Sequence, residues 1–93
     1  MLEFDWDEGN RDKNLRHGVQ DWEIEEAFED PRRRVEPARS QVGEHRRVLL
    51  GRARTSGRYL RIVYTVRRRN GQTLLRPISA MEMPRNARWR YSR

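Results

Sequence analysis

Arg58–Ala80 reads R-Y-L-R-I-V-Y-T-V-R-R-R-N-G-Q-T-L-L-R-P-I-S-A and holds the densest run of strand-forming residues in the chain. Asn70-Gly71 sits in its middle. A type I′ turn needs φ > 0 at both central positions, which Asn tolerates and Gly adopts freely. Two apolar runs joined by that dipeptide predict a β-hairpin with a two-residue loop. The register follows: Arg69 opposite Gln72, Arg67 opposite Leu74, Thr65 opposite Arg76 and Val63 opposite Ile78. Side chains alternate across a strand, so Leu60, Ile62, Tyr64, Val66, Leu75 and Pro77 share one face, the expected core. Arg61, Val63, Thr65, Arg67, Leu74, Arg76 and Ile78 share the other, which is expected to bring Arg61, Arg67 and Arg76 close together.

On the N-terminal side, His45–Ala53 carries Val48, Leu49 and Leu50 and predicts a strand, led into the hairpin by the turn residues Thr55-Ser56-Gly57. Gln41–Glu44 is expected to be a loop, and Arg34–Glu36, followed by Pro37, a weak edge strand. Upstream, Asp21–Glu29 predicts a helix ended by Pro31, with Ile24, Ala27 and Phe28 as its buried stripe and Glu23, Glu25, Glu26 and Glu29 exposed. Another helix is expected over Glu8–Arg16, capped by Asp7, contacting the core through Leu15 and closed by Gly18 in the left-handed region. Leu2–Trp6 alternates apolar and polar and predicts a short strand. After Ala80 a last helix starts near Pro84 and carries Arg85, Arg88, Trp89, Arg90 and Tyr91. The resulting order is β-α-α-β-β-β-β-α, an α+β fold with two N-terminal helices, an antiparallel meander and one C-terminal helix.

Ninety-three residues predict a single domain over 1–93, and a hydrophobic fraction of 34% limits it to one modest core. With no Cys there is neither a disulfide framework nor a thiolate metal site. No apolar run reaches membrane-spanning length and no signal-peptide pattern opens the chain, so a soluble cytoplasmic protein with no membrane partner is expected. The 21 basic residues outnumber the 14 acidic ones, for a net charge of +7, and Lys13 is the single lysine. The acids concentrate before Glu44 and the arginines after it. That layout fits a basic face for nucleic acid or for an acidic partner, and also a plain solvated Arg-rich surface.

Three motifs carry a resemblance. F-x-W-D-E-G-N at Phe4–Asn10, R-H-G-V at Arg16–Val19 and R-P-I-S-A at Arg76–Ala80 resemble, in order and spacing, the BrnT-type toxins. Lys13 stands where a His is common in that family, Met81 where Arg is usual, and Pro84–Ala87 replaces a T-x-x-E capping box. The resemblance implies a RelE-like fold and a ribonuclease toxin of a type II toxin–antitoxin pair. It also implies a hetero-oligomer with a BrnA-like antitoxin that carries a ribbon-helix-helix DNA-binding domain.

RNA cleavage without metal needs a group to take the 2′-OH proton, charge to stabilise the phosphorane and a proton for the leaving 5′-oxygen. No His pair and no Asp/Glu/His metal spacing stands out, so neither metal nor cofactor is expected. Arginine is the abundant resource, and it stabilises phosphate well while serving poorly as a base. Arg76 heads the candidates, against the alternative of a surface arginine paired with a carboxylate, and Arg67 follows. His17 is a candidate proton shuttle or a helix-end cap, and Lys13 a phosphate ligand or an exposed lysine. Tyr91 is a base-stacking or proton-donating candidate, or packs the last helix. Arg61, Arg85 and Arg88 are RNA-binding candidates. Three functions stay open: a metal-independent ribonuclease toxin, a module that binds RNA or antitoxin without cleaving, and a structural partner in an autoregulatory DNA-binding complex.

Overall fold

The computed structural model describes residues 2–38 and 45–93; the expected loop Gln41–Glu44 lies outside them. Four antiparallel strands, β1 (Arg34–Pro37), β2 (Arg47–Arg52), β3 (Tyr59–Arg69) and β4 (Gln72–Glu82), lie in chain order as a meander. Helix α1 (Asp21–Phe28) precedes the sheet and α2 (Arg85–Tyr91) follows it. Mixed α+β architecture with an antiparallel sheet is therefore what the chain adopts. Among the described residues no helix is long and apolar enough to cross a membrane.

The hairpin forms at Asn70-Gly71, with φ of 52° and 78°. Arg69–Gln72, Arg67–Leu74 and Thr65–Arg76 pair as expected. Beyond Tyr64–Pro77 the expectation fails: a bulge sets Val63 opposite Ser79 rather than Ile78, and Ile62 opposite Ala80. The extra residue bends the edge strand where Pro77, unable to donate to a ladder, already weakens it. On the expected core face Leu60, Ile62, Tyr64 and Pro77 are buried and Leu75 packs at the margin, but Val66 is exposed because the hairpin tip runs past α1.

The two sheet faces hold separate apolar clusters. Ile24, Ala27 and Phe28 of α1 pack with Val19, Leu49, Leu60, Ile62, Tyr64 and Ala80. Fully burying a side chain such as Ile24 or Phe28 stabilises by about 1.5–3 kcal/mol. Helix and strand touch backbone to backbone here: a Cβ on Gly51 would lie 2.4 Å from the Ala27 carbonyl oxygen. On the other face Ala87 of α2 packs with Val48 and Leu50, flanked by Val63, Met83 and Tyr91.

Two N-terminal expectations are corrected. The first strand is reduced to a single parallel bridge, Phe4 to Leu75. The first helix is a 3-10 turn, Lys13–His17, preceded by turns; a segment so polar has no apolar stripe to propagate an α-helix. Its buried residue is Asn14, whereas Leu15 is 45% exposed. Gly18 does close the turn at φ 73°. Glu23, expected on the exposed side of α1, is buried because it has two partners. It accepts the Gln20 N–H at 2.9 Å and pairs with Arg58 at 3.3 Å. Arg58 also donates to the Gly18 carbonyl and to Glu82, tying the 3-10 turn, α1 and the end of β4 together. Pro84 sits at the N-cap of α2, and the helix starts one residue later at Arg85. His45 precedes β2 rather than belonging to it.

Candidate active site

The N-terminal segment is laid along the free edge of β4. Asp5 N–H donates to the Leu75 carbonyl at 2.8 Å, and Leu75 N–H to the Glu3 carbonyl at 2.9 Å. The chain then turns sharply, with Asp7 Oδ1 accepting the Gly9 N–H and Asn10 Oδ1 accepting the Asp7 N–H, both at 2.8 Å. Asn10 is buried, and its Nδ2 donates to the carbonyls of Asp5 at 2.9 Å and Pro77 at 3.0 Å. Four residues on, Asn14 Oδ1 accepts the Ala80 N–H at 2.9 Å. Two asparagines one turn apart thus stitch the W-D-E-G-N segment to the R-P-I-S-A strand, because buried backbone groups must find partners.

This stitching forms a cleft of about 280 Å³ lined by Gly9, Asn10, Lys13, Arg46, Thr65, Arg67, Arg76, Pro77 and Ile78. Lys13, Arg67 and Arg76, all singled out in the sequence, meet here. Arg76 is not a free cation. Its guanidinium grips Asp7 with two prongs, Nη1–Oδ2 at 2.8 Å and Nη2–Oδ1 at 3.0 Å. It also reaches Asp5 Oδ2 at 3.3 Å. Arg67 approaches the same Asp5 oxygen at 3.7 Å, and Asp5 is only 7% exposed. The hydrogen bond from Arg76 holds the Asp7 carboxyl below its usual range, with the Gly9 N–H adding to the effect, so Asp7 stays ionised and is a weak base. The same bond raises the Arg76 guanidinium further above its ordinary value. Lys13 makes no side-chain bond among the described residues, which leaves its ammonium available to an anion.

The other candidates lie elsewhere. Arg61 is six residues from Arg67 on β3, about 20 Å along a strand, so the expected tight trio of Arg61, Arg67 and Arg76 is a pair plus one. His17 ends the 3-10 turn, exposed and outside the cleft lining. Tyr91 packs α2 on the sheet, meets the Tyr59 ring edge-on at 5.6 Å between centroids, and donates its hydroxyl to Asp30 at 2.5 Å. Burial first, then Asp30, pushes the Tyr91 hydroxyl up to about 12. Asp30 is pushed up by burial, but the Tyr91 hydroxyl and the Arg32 and Arg52 N–H groups outweigh that and leave it lowered. Arg88 stacks its guanidinium 3.3 Å over the Tyr59 ring centroid. Arg85 opens α2 on the exposed side.

Sequence reasoning missed Asp5, Asp7, Asn10 and Arg46 as components of this region, whereas Thr65 lies opposite Arg76 as the register implied. The first three fall within the Phe4–Asn10 motif, where Asp5 was assigned to a short strand, Asp7 to a helix cap and Asn10 to the helix it was expected to start. Among the described residues no three His, Cys, Asp or Glu side chains converge where a metal ion could be held.

No curated protein matches the chain. Residues 6–86 match a family described as ribonuclease toxin, BrnT, of type II toxin-antitoxin system. That match takes in the W-D-E-G-N loop, the 3-10 turn, the whole sheet and the start of α2. The chain therefore belongs to the BrnT family, the ribonuclease toxins of type II toxin–antitoxin systems, whose members are paired with an antitoxin.

Proposed function

We propose that the chain, one domain over 1–93 with a RelE-like fold, cleaves RNA without metal in the cleft of Lys13, Arg67 and Arg76. The observation that carries this reading is that Lys13 joins Arg67 and Arg76 of the distant hairpin in lining one small cleft, together with Arg46. In the step, the ribose 2′-oxygen bonds to phosphorus, the bond from phosphorus to the 5′-oxygen breaks, and the 2′-OH proton leaves as the 5′-oxygen gains one. Lys13 and Arg67 meet the scissile phosphate and the charge that grows on it. Arg76, oriented by Asp5 and Asp7, positions the substrate beside Thr65. Arg61, Arg85, Arg88, His17 and Tyr91 lie outside this cleft and contact RNA beyond the scissile bond.

The partner is a BrnA-like antitoxin with a ribbon-helix-helix domain, held in a hetero-oligomer. The test is cleavage of a defined RNA in excess EDTA. Wild type retains its rate, and Arg67→Ala and Lys13→Ala each lose on the order of 100-fold. Loss of all cleavage in EDTA, restored by a divalent ion, removes the metal-free mechanism. A second reading, a domain that binds RNA or antitoxin without cleaving, is favoured by two observations: neither histidine lines the cleft, and Asp7 is a weak base. It predicts RNA binding with no turnover.

A further inference from the structure

The N-terminal segment that offers Asp5 and Asp7 to Arg76 turns Phe4 and Trp6 to a surface of opposite character. Leu2 and Trp22 are 39% and 46% exposed, and with Phe4 and Trp6 they line a groove of about 670 Å³. Glu3, Glu25, Glu26 and Glu29 rim it. The floor is fixed. Trp6 Nε1 donates to Glu25 at 2.8 Å, and the Phe4 ring lies 5.3 Å from that of Phe28 in the core. Glu26 is occupied by Thr55, but the side chains of Glu3 and Glu29 bond nothing among the described residues. At the lip, the Glu3 carbonyl and Asp5 N–H bond β4, while the intervening Phe4 N–H and C=O have no partner among the described residues. Those two groups form a short open strand edge.

We propose that this groove is the docking surface for a basic, apolar segment of the antitoxin. The proposal rests on the antitoxin partnership described above and names the surface that serves it. Charge complementarity selects the occupant: four carboxylates gather at an aromatic groove on a chain whose net charge is +7. RNA phosphate is repelled there, and a second copy of so cationic a chain is disfavoured by long-range repulsion. An exposed Trp flanked by fixed aromatic rings is the residue type that dominates interface energies. A segment alternating apolar side chains with Lys or Arg fits its apolar side onto Trp22 and Leu2, its cations onto Glu3 and Glu29, and its backbone onto Phe4.

The test uses the purified full chain and, as probe, the purified product of the reading frame adjacent to its gene. Binding is followed by calorimetry and by Trp fluorescence for wild type, Trp22→Ala/Glu29→Lys and Arg67→Ala. The groove variant changes only exposed side chains and is expected to melt like wild type and to cleave RNA at the wild-type rate. It is expected to lose about 100-fold in affinity, whereas Arg67→Ala keeps it. Equal binding by the groove variant and wild type overturns the groove. So does a result in which the isolated wild-type chain self-associates through Trp22 while its affinity for the probe is unaffected by the variant. Failure of wild type itself to bind the probe removes the antitoxin pairing, and the docking site with it.

Discussion

Replacing Arg76 by Ala tests structure before it tests chemistry. Asp5 is 7% exposed and the Arg76 side chain 17%, with 3.3 Å between them. Stripping one partner from a sealed ion pair costs about 3–5 kcal/mol, because the remaining charge is stranded. Here the pair is partly open, and Arg67 still stands 3.7 Å from the same Asp5 oxygen. Those two facts scale the cost to about 2 kcal/mol. A domain of this size is stable by roughly 5–15 kcal/mol and shifts its melting temperature by about 4–8 °C per kcal/mol, so a fall of roughly 8–16 °C is expected. Thermal unfolding followed by circular dichroism measures it, and cleavage must be assayed well below the lowered transition. The double variant Asp5→Asn/Arg76→Ala removes both ends of the pair and is expected to regain most of the loss. If Arg76→Ala melts within about 2 °C of wild type, the ion pair stabilises nothing and the reasoning fails.

Gly51→Ala places a methyl 2.4 Å from the Ala27 carbonyl oxygen and is expected to destabilise by about 1–3 kcal/mol; unchanged urea midpoints would mean that α1 does not rest on β2. Gly71→Val meets no atom within 4 Å, so its cost at φ +78° is purely conformational, about 1–3 kcal/mol, and a wild-type melting temperature would refute the left-handed turn. Tyr91 is raised from 10.0 to about 12, so its contribution to stability is fully present below its unfolded value and is lost as pH climbs through the folded one. Ultraviolet titration is expected to show a late phenolate step that Tyr91→Phe deletes; deletion of an earlier step instead would refute the Asp30 bond. RNA affinity measured across a salt series is expected to lose about 0.7 from its logarithmic slope in Arg67→Ala, and an unchanged slope would take Arg67 out of phosphate contact.

What was legible in the sequence followed from periodicity and from residues with one conformational meaning. Asn70-Gly71 gave the hairpin, Ile24, Ala27 and Phe28 gave the buried stripe of α1, and Pro31 ended that helix. What was not legible depended on partners far away in the chain. Glu23 reads as one more exposed acid until Arg58 is brought to it by the sheet. Leu15 reads as the apolar anchor of its turn, but the contact that matters is an amide from Asn14 to the backbone of Ala80. In the cleft, the nearness of Arg67 to Arg76 followed from the hairpin register, whereas Lys13 was a separate candidate whose place beside them needs the N-terminal turns folded onto β4. The capture of Arg76 by Asp5 and Asp7 did not follow from the register, because it needs the N-terminal segment beside β4, and the alternation of Leu2–Trp6 does not reveal its neighbour.

The bulge between Tyr64–Pro77 and Val63–Ser79 gives β4 one residue more than its partner. Ile78, the surplus residue, faces the cleft, while Ala80 returns to the core opposite Ile62. Parity is thereby uncoupled between the two ends of a single strand. A deletion of Ile78 would let Ser79 and Ala80 keep their present partners and the core its present side chains, yet it would straighten the wall on which Arg76 and Pro77 stand. The molecule thus contains a point where its length can change by one and the chemistry alone feels it. Between two chains of this kind, a gap at that position in an otherwise continuous strand would signal a reshaped substrate cleft rather than a different fold.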